Sequence, residues 1–287
     1  MKGITYSKYI HPEEVIDWVK KNTSNLTAII HLGGCSSTSE QNFKYLCNVN
    51  FSLTKDLYSI SNENNIKFIY ASSATTYGNG ELGFDDEMSC EQLRELNSKN
   101  KYGISKNMID SYIFYDSKIR DLNVIGLKFF NIYGPNEYHK KDMCSPVKRS
   151  FDQYTLNGYI KIIDTKTKEY PQGAYRDFIY VKDVIKVIKF FIEKNIESGL
   201  YNVGSGQPSS FEEVAAIVIS IIDGESVGLN KVIKKIEMPS NMNATYQYYT
   251  CASLKKLRRV GYKEKLYSIE EGIKDYIENY LIDTKYY

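Results

Sequence analysis

The chain has 287 residues, of which 42% are hydrophobic and 25% are charged, and its formal net charge is +2. Such a chain can fold around a full core, its near-neutral charge gives no reason to expect a nucleic-acid partner, and no apolar run reaches the ~20 residues that span a membrane. Five widely spaced cysteines and three histidines do not form a disulfide or metal-binding pattern, so we expect reduced thiols in a cytoplasmic protein that holds no metal.

Hydrophobic periodicity predicts that helices and short apolar strands alternate along the first half of the chain. Helices are predicted over residues 12–21 and 43–64, and a third helix carries Tyr102. The predicted strands cover residues 27–31, 67–71 and 124–130. This alternation is typical of a doubly wound, Rossmann-like parallel sheet in the α/β class.

Each predicted strand runs into a loop of small or polar residues. The loops are Leu-Gly-Gly-Cys-Ser-Ser at 32–37, Ser-Ser-Ala-Thr-Thr-Tyr-Gly at 72–78 and Asn-Ile-Tyr-Gly-Pro at 131–135. In a parallel sheet the carboxyl ends of the strands meet at one edge, where ligands bind. We therefore expect the functional site at this edge, although the loop at 32–37 taken alone also fits a plain tight turn.

Beyond residue 135 the alternation of elements weakens. The sequence still predicts a short strand near Ile160, an amphipathic helix over 184–193 and a strand that enters the glycine turn at 204–206. Two capping boxes, Ser-Phe-Glu-Glu at 210–213 and Ser-Ile-Glu-Glu at 268–271, predict the first residues of two further helices.

Tyr102 and Lys106 are four residues apart, so on a helix their side chains project from the same face. A phenol with a pKa of about 10 is a poor base at neutral pH, but an adjacent ammonium favours the phenolate and lowers this pKa. The pair can then take a proton from a sugar hydroxyl while hydride leaves the same carbon. In a chain with 26 tyrosines this spacing also arises by chance, so its context decides its meaning.

Five ordered motifs supply that context. They are Ser-Ser-Ala-Thr-x-Tyr-Gly at 72–78, Tyr-x-x-x-Lys at 102–106, Asn-x-Tyr-Gly-Pro at 131–135, Arg-Asp-Phe-x-Tyr-Val at 176–181 and Asn-Val-Gly-Ser-Gly at 202–206. In this order they resemble the extended short-chain dehydrogenase/reductases of the NAD-dependent epimerase/dehydratase family. Within it, Gly-Cys-Ser-Ser-Thr at 34–38, Glu-x-His-Lys at 137–140 and Thr-Tyr-Gln at 245–247 resemble the branch that epimerises C6 of an ADP-bound heptose.

The resemblance implies that enzyme-bound NADP, or NAD, takes hydride from C6 of the nucleotide sugar and returns it to the other face, for lipopolysaccharide or capsule precursor synthesis. Such chemistry needs two proton-transfer groups, one for each face. The motifs assign these roles to Tyr102 and Lys140, place Lys106 on the cofactor ribose and place Ser73 on the reacting oxygen. A solvated loop lysine competes with the role of Lys140, and a serine that caps the strand end competes with the role of Ser73.

The resemblance also implies two binding surfaces in a homo-oligomer. The cofactor would contact Leu32, Gly33, Gly34, Cys35, Ser36, Asn50, Tyr102, Lys106 and Ile132. The substrate would contact Asn131, Asp142, Arg149, Arg176 and Tyr246. Arg176 suits the pyrophosphate because a guanidinium presents two donors to phosphate, although a salt bridge to a nearby acid is the alternative. Turn capping is the alternative for Asn131, and core packing is the alternative for Tyr246.

One departure from the family concerns the beginning of the chain. The family's Gly-x-x-Gly-x-x-Gly turn and its βαβ unit, about forty residues, have no counterpart in this sequence. We therefore expect a truncated gene or a misassigned start, and weak NADP binding. The expected division is an incomplete dinucleotide-binding domain at 1–132, 178–209 and 246–262, and a substrate domain at 133–177, 210–245 and 263–287.

Two alternatives to the heptose epimerase stay open. One is another nucleotide-sugar epimerase or reductase, and Asp142 and Arg149, which depart from the branch's pattern, keep it open. A dehydratase is disfavoured because Ala74 and Thr75 stand where that enzyme carries an acid pair. The other alternative is a non-catalytic remnant that binds sugar nucleotides.

Overall fold

A computed structural model describes residues 5–115, 123–224, 228–239 and 246–287. Strands β1 to β9 of these ranges are Ala28–His31, Lys67–Ser73, Val124–Phe129, Asn131–Tyr133, Ile160–Ile163, Tyr175–Tyr180, Gly199–Val203, Pro208–Ser210 and Ile233–Ile236. The main sheet is parallel with the order β1-β2-β3-β7, which confirms the predicted α/β class. None of the helices in these ranges is long and apolar enough to cross a membrane.

Two smaller sheets are built from strands that follow β3 in the chain. In one, β4 pairs in parallel with β6, and β6 pairs antiparallel with β8. In the other, β5 pairs in parallel with β9, a strand that the hydrophobic pattern does not predict. The division of the chain into two domains stays a prediction.

Eleven α-helices connect the strands in the described ranges. Helices α1 to α11 are Val15–Asn22, Phe43–Leu46, Leu53–Glu63, Cys90–Glu95, Lys101–Phe114, Pro146–Asn157, Val181–Glu193, Phe211–Asp223, Leu229–Val232, Lys255–Arg259 and Ile269–Tyr276. The predicted capping boxes at Ser210 and Ser268 begin α8 and α11. A third box, formed by Ser89 and Gln92, begins α4, which is too short for periodicity to predict.

The predicted helix over residues 43–64 is helical throughout, but its middle is not α-helical. Cys47–Ser52 form a π-helix between α2 and α3. A π segment holds extra residues in a wider turn and occurs frequently at functional sites. Here it carries Asn50, whose side chain is completely buried.

Helices cover both faces of the main sheet. Successive residues of each strand point to opposite faces, so each strand contributes side chains to both. Phe68 and Tyr70 of β2 pack on the face that also holds α1, α3 and α5. Ile69 packs on the opposite face, against α7. Strands buried on both faces appear in the sequence as continuous apolar runs. Lys128 of β3 interrupts such a run and is nevertheless completely buried.

The first residue of β2 holds the end of α7. The Lys67 ammonium donates to the carbonyl oxygens of Phe191 (2.9 Å), Ile192 (3.1 Å) and Lys194 (2.8 Å). Carbonyl groups in the last turn of a helix lack partners within the helix. A lysine placed there satisfies them and interacts favourably with the helix dipole.

We expect Lys67→Met to lower the free energy of unfolding by about 1–2 kcal/mol, because charged hydrogen bonds at the end of α7 are lost. Urea unfolding measures the difference. Lys189→Met, at an exposed position of the same helix, is the control and should change the free energy by less than about 0.5 kcal/mol. Equal effects of the two substitutions would contradict this role of Lys67.

Candidate active site

Ser73 lies at the carboxyl end of β2, where the chain leaves the main sheet. Its hydroxyl accepts a hydrogen bond from the Thr75 N–H (3.2 Å) and so begins a short 3-10 helix, Ala74–Tyr77. The capping role left open for this serine is therefore present. The same hydroxyl lies 2.8 Å from the Thr75 hydroxyl, and its interaction with the Tyr102 phenol lowers the pKa of that phenol, so capping does not remove Ser73 from the site.

Tyr102 lies in the first turn of α5, against the turn that follows Ser73. Asn100 begins the helix by accepting a hydrogen bond from the Gly103 N–H (2.8 Å). A Cβ on Gly103 would lie 2.9 Å from the carbonyl oxygen of Thr75, so a glycine is needed for this close approach. The Tyr102 side chain is consequently buried, with 8% of the residue exposed.

Lys106 follows one helical turn later and is buried at the end of the main sheet. Its ammonium donates to the carbonyl oxygen of Ala71 (2.8 Å) and lies 3.8 Å from the position that a Cβ on Gly34 would take. A lysine has three N–H donors. Within the described ranges, the other two have no protein partner, which leaves them available to a ligand.

Burial dominates the pKa of Tyr102. It raises this pKa, and the hydrogen bond with Ser73 acts in the opposite direction. The prediction that the pKa of Tyr102 is lowered by Lys106 is wrong, because burial of the phenol raises this pKa and Lys106 is not among the groups that act on it. The pKa of Lys106 is lowered to about 8.

Asn50 shapes the loop after β1, which is the predicted cofactor surface. Its side-chain oxygen accepts from the Cys35 N–H (2.9 Å), and its amide donates to the Cys35 carbonyl oxygen (3.1 Å) and to the Ser105 hydroxyl (3.0 Å). Gly34 has a φ of +140°, and a Cβ there would lie 2.6 Å from the Asn50 oxygen. This loop therefore lies beside Lys106. The exposed residues of the loop are Leu32, Gly33, Gly34 and Ser36.

A completely buried ion pair lies beneath the site, between Asp110 of α5 and Lys128 of β3. The Lys128 ammonium is 2.8 Å from an Asp110 oxygen. The same carboxylate accepts hydrogen bonds from Tyr70 (2.8 Å) and Ser72 (2.6 Å) of β2. Lys128 also donates to the hydroxyl of Thr76 (2.7 Å), in the 3-10 helix beside the site. The pair thus joins α5 to β2, β3 and this 3-10 helix.

We expect Lys128→Met to lower the free energy of unfolding by about 3–5 kcal/mol, because it leaves the Asp110 carboxylate buried without its cation. Asp110→Asn should lower the free energy of unfolding by a similar amount, because it leaves the Lys128 ammonium buried without its anion. The double variant should cost clearly less than the sum, since neither charge remains. Denaturant unfolding of the three variants measures this coupling, and additive single effects would contradict it.

His31, the last residue of β1, supports the loop that follows. Its Nε2 atom is 3.0 Å from the hydroxyl of Thr54 in α3. Burial, followed by the charge of Lys106, lowers the pKa of His31 from 6.5 to about 4. The imidazole is therefore neutral at physiological pH and adds no charge beside Lys106.

This lowered pKa predicts a pH-dependent stability. The unfolded chain binds the proton near pH 6.5 and the folded protein only near pH 4, so His31 costs stability as the pH falls through this window. The loss is at most about 3 kcal/mol, at about 1.4 kcal/mol per pKa unit. Urea unfolding of the wild type and of His31→Asn from pH 7 to pH 4 should show this loss in the wild type only.

The comparison with His31→Asn is needed because Asp86 titrates in the same range with the opposite sign. Burial raises the pKa of Asp86 to about 6, so protonation of Asp86 stabilises the folded state as the pH falls. Both proteins contain Asp86, and its contribution cancels in the difference. Parallel stability curves for the two proteins would contradict the lowered pKa of His31.

The second predicted proton-transfer residue, Lys140, lies in the loop after β4. The loop contains a 3-10 helix, Tyr138–Met143, in which Lys140 is exposed. Its ammonium makes no hydrogen bond or ion pair in the described ranges. The structure therefore does not place Lys140 in contact with Tyr102 or Lys106. Asn131 and Ile132 lie in β4 before this loop, and the side chain of Asp142 lies outside the described residues.

Three of the residues predicted to contact the substrate, Arg176, Tyr246 and Arg149, lie near one another. Arg176 is 7% exposed, and its guanidinium carbon lies 5.1 Å from the ring centre of Tyr246. Among the described residues, the Nη1 atom of Arg176 has no hydrogen-bond partner and the side chain has no salt bridge, so the salt-bridge interpretation is wrong. Burial lowers the pKa of Arg176 to about 10. Tyr246 and Arg149 line an adjacent cavity of about 90 Å³ between α6, β5 and α8.

The predicted motifs miss two charged residues beneath the site. Asp110 follows Lys106 by four residues, so helical spacing places it on the same face of α5. Lys128 is a charged residue within an apolar strand, and a buried charge requires a partner. These two signals together indicate the buried pair.

The chain was compared with known protein families and proteins. The profile of the NAD dependent epimerase/dehydratase family matches residues 5–204. An ADP-L-glycero-D-manno-heptose-6-epimerase from Fusobacterium nucleatum is 42% identical over 280 residues, which cover 96% of this chain and 84% of the relative. A protein of the same name from Nitratidesulfovibrio vulgaris is 34% identical with the same two coverages.

Solved structures with a similar fold include two sugar-nucleotide epimerases. The ADP-L-glycero-D-manno-heptose-6-epimerase of Helicobacter pylori superimposes with a TM-score of 0.74 and 25% identity, covering 97% of this chain and 79% of that one. A UDP-N-acetylglucosamine 4-epimerase from Methanobrevibacter ruminantium gives a TM-score of 0.75 at 18% identity, over 93% and 80% of the two chains. The second likeness concerns the fold alone.

Proposed function

The chain belongs to the NAD-dependent epimerase/dehydratase family, and we propose that it interconverts the C6 epimers of ADP-glycero-manno-heptose by transient oxidation at C6. The burial of Ser73, Tyr102 and Lys106 at the carboxyl end of the main sheet carries this proposal. The 42% identity to a relative of that name supports the choice of sugar. We expect a cytoplasmic homo-oligomer that serves lipopolysaccharide or capsule synthesis.

Two groups on opposite faces of the sugar would handle the proton. Because burial keeps Tyr102 as the neutral phenol, Tyr102 is suited to donate a proton to the carbonyl oxygen when C6 is reduced. Lys140, as the neutral amine, would accept the hydroxyl proton when C6 is oxidised; after each turnover it would release this proton to solvent, and Tyr102 would regain one from solvent. In the reverse direction the two residues exchange these tasks. The Ser73 hydroxyl, which acts on the pKa of Tyr102, would hold the reacting oxygen.

The loop after β1 and Lys106 fit the nicotinamide end of a dinucleotide, which we take to be NADP. When bound, the cofactor supplies the acceptor and the donor of the hydride exchanged with C6. The two N–H donors of Lys106 that lack a protein partner in the described ranges suit ribose hydroxyls. Gly34 lies against Asn50 where a Cβ would collide, so a glycine is needed for the loop to pack on Asn50 beside Lys106.

Arg176 and its neighbours would bind the ADP part of the substrate. The Nη1 atom of this buried guanidinium has no hydrogen-bond partner among the described residues, and a pyrophosphate would supply the negative charge and an acceptor for it. Arg149 and Tyr246 line the cavity beside it. The main sheet would thus hold the cofactor and the second half of the chain the nucleotide sugar, which is the predicted division into domains.

Conversion of ADP-D-glycero-D-manno-heptose to its L-glycero epimer, followed by NMR in the presence of NADP, tests this function. We expect Tyr102→Phe and Lys140→Ala each to lower the turnover number by at least about a hundredfold, because each removes one proton-transfer group. Lys141→Ala, at the neighbouring exposed lysine, is the control and should keep turnover close to that of the wild type.

Three results would contradict the proposal. No conversion by the wild type would exclude the heptose reaction, and conversion of a UDP-hexose in its place would favour a 4-epimerase. Equal loss of turnover in Lys140→Ala and Lys141→Ala would show that the charge of the loop matters and that Lys140 has no individual role.

A further inference from the structure

The loop of residues 134–145, here the lysine loop, is covered on one side by residues 280–287, here the C-terminal segment. Tyr138 of the lysine loop makes the central contact. Its hydroxyl oxygen lies 2.9 Å from the carbonyl oxygen of Lys285 and 3.0 Å from that of Tyr280. One phenolic proton is therefore shared between two carbonyl groups of the C-terminal segment.

Two further contacts join the same segments. The Tyr287 N–H donates to the side-chain oxygen of Asn136 (3.0 Å). The rings of Tyr138 and Tyr286 pack edge to face, with 5.1 Å between their centres. The ammonium of Lys182 lies 5.3 Å from the ring centre of Tyr287 and fixes that side of the segment through a cation–π contact.

The backbone at this joint adopts conformations that are rarely occupied. Asn136 (φ 73°), Lys141 (φ 46°) and Thr284 (φ 52°) are three of the four non-glycine residues with positive φ in the described ranges. A β-branched residue such as Thr284 is disfavoured there. Such conformations persist where the surrounding contacts impose them, and they cluster at functional sites.

A buried carboxylate holds the lysine loop from the inside. Glu137 is 4% exposed. It accepts hydrogen bonds from the Gly134 N–H (3.3 Å), the Ser145 N–H (2.6 Å) and the Ser145 hydroxyl (2.7 Å). One side chain thus joins the two ends of the loop, and the exposed Lys140 lies between them.

We propose that Tyr138, Asn136 and the C-terminal segment are positioning elements for Lys140. The inference rests on the proposed role of Lys140 in proton transfer. An exposed lysine on a free loop would lose most of its proton-transfer rate to misorientation. Glu137 anchors the backbone of the lysine loop from inside, and the C-terminal segment anchors it from outside. The backbone at Lys140 is then fixed, and only the side chain of Lys140 can move. The contacts made by Tyr138 and Asn136 therefore tune the turnover number and leave substrate binding unchanged.

Two variants weaken the outer anchor without removing a charge. Tyr138→Phe deletes the shared hydroxyl and keeps the ring. Asn136→Gly deletes the acceptor for Tyr287 at a positive φ that glycine adopts without strain. Tyr201→Phe is the matched control, because its hydroxyl also donates to a backbone carbonyl oxygen (2.8 Å, Glu197) but lies in the main sheet.

The first measurement is the rate of tryptic cleavage after the exposed lysines 140 and 141, followed by mass spectrometry. Each variant should be cleaved about five-fold faster than the wild type. The loss of one hydrogen bond raises the population of the open loop by about this factor, and the cleavage rate follows that population. The second is steady-state turnover of the ADP-heptose. The turnover number should fall by about the same factor while KM stays constant, since only transition-state positioning is lost. The control should change neither quantity.

Unchanged cleavage in both variants would overturn the anchoring, whatever the role of Lys140. Faster cleavage with an unchanged turnover number would show that the segment is structural only and would overturn its positioning role. Wild-type turnover in Lys140→Ala would instead overturn the proposed function of that lysine, and with it the positioning inference, while the cleavage data would still report on the anchor.

Discussion

The site depends on the buried pair of Asp110 and Lys128. The carboxylate accepts hydrogen bonds from Tyr70, Ser72 and the lysine, so both charges of the completely buried pair have partners. Such a network stabilises the one arrangement of these elements in which both charges are paired. A displacement that separates the two charges raises the free energy. The ends of β2 and β3 and the middle of α5 are thereby held in register, which fixes the helix that carries Tyr102 relative to the turn after β2.

Much of the main sheet could be predicted from the sequence because its signals are local. Apolar runs of strand length, helices with amphipathic spacing and the boxes at Ser210 and Ser268 are properties of neighbouring residues. The strand Ile233–Ile236 was not predictable in the same way. Its sequence, Ile-Lys-Lys-Ile, has too little hydrophobic alternation, and it is a strand because it pairs with Ile160–Ile163, more than seventy positions away.

The site shows the same division between local and long-range information. The spacing of Tyr102 and Lys106 correctly placed both on one helix. It could not show whether burial, which raises the phenol pKa, or a neighbouring ammonium, which lowers it, would have the larger effect. Burial is decided by packing against distant segments, and here it prevails. The competing interpretations of Arg176 could be separated only by the structure, since the absence of a nearby acid among the described residues is a property of the folded chain.

The π-helical segment Cys47–Ser52 has a consequence for comparing relatives. Asn50 reaches Cys35 and Ser105 from within this wider turn. Removal of one residue would restore an α-helical turn and rotate the preceding helix by about 100° relative to the following one. Homologues with a regular helix at this place would then align with a single-residue gap within an otherwise ungapped helix. Such a gap, rather than any substitution, would mark the proteins in which the asparagine no longer faces the loop after the first strand.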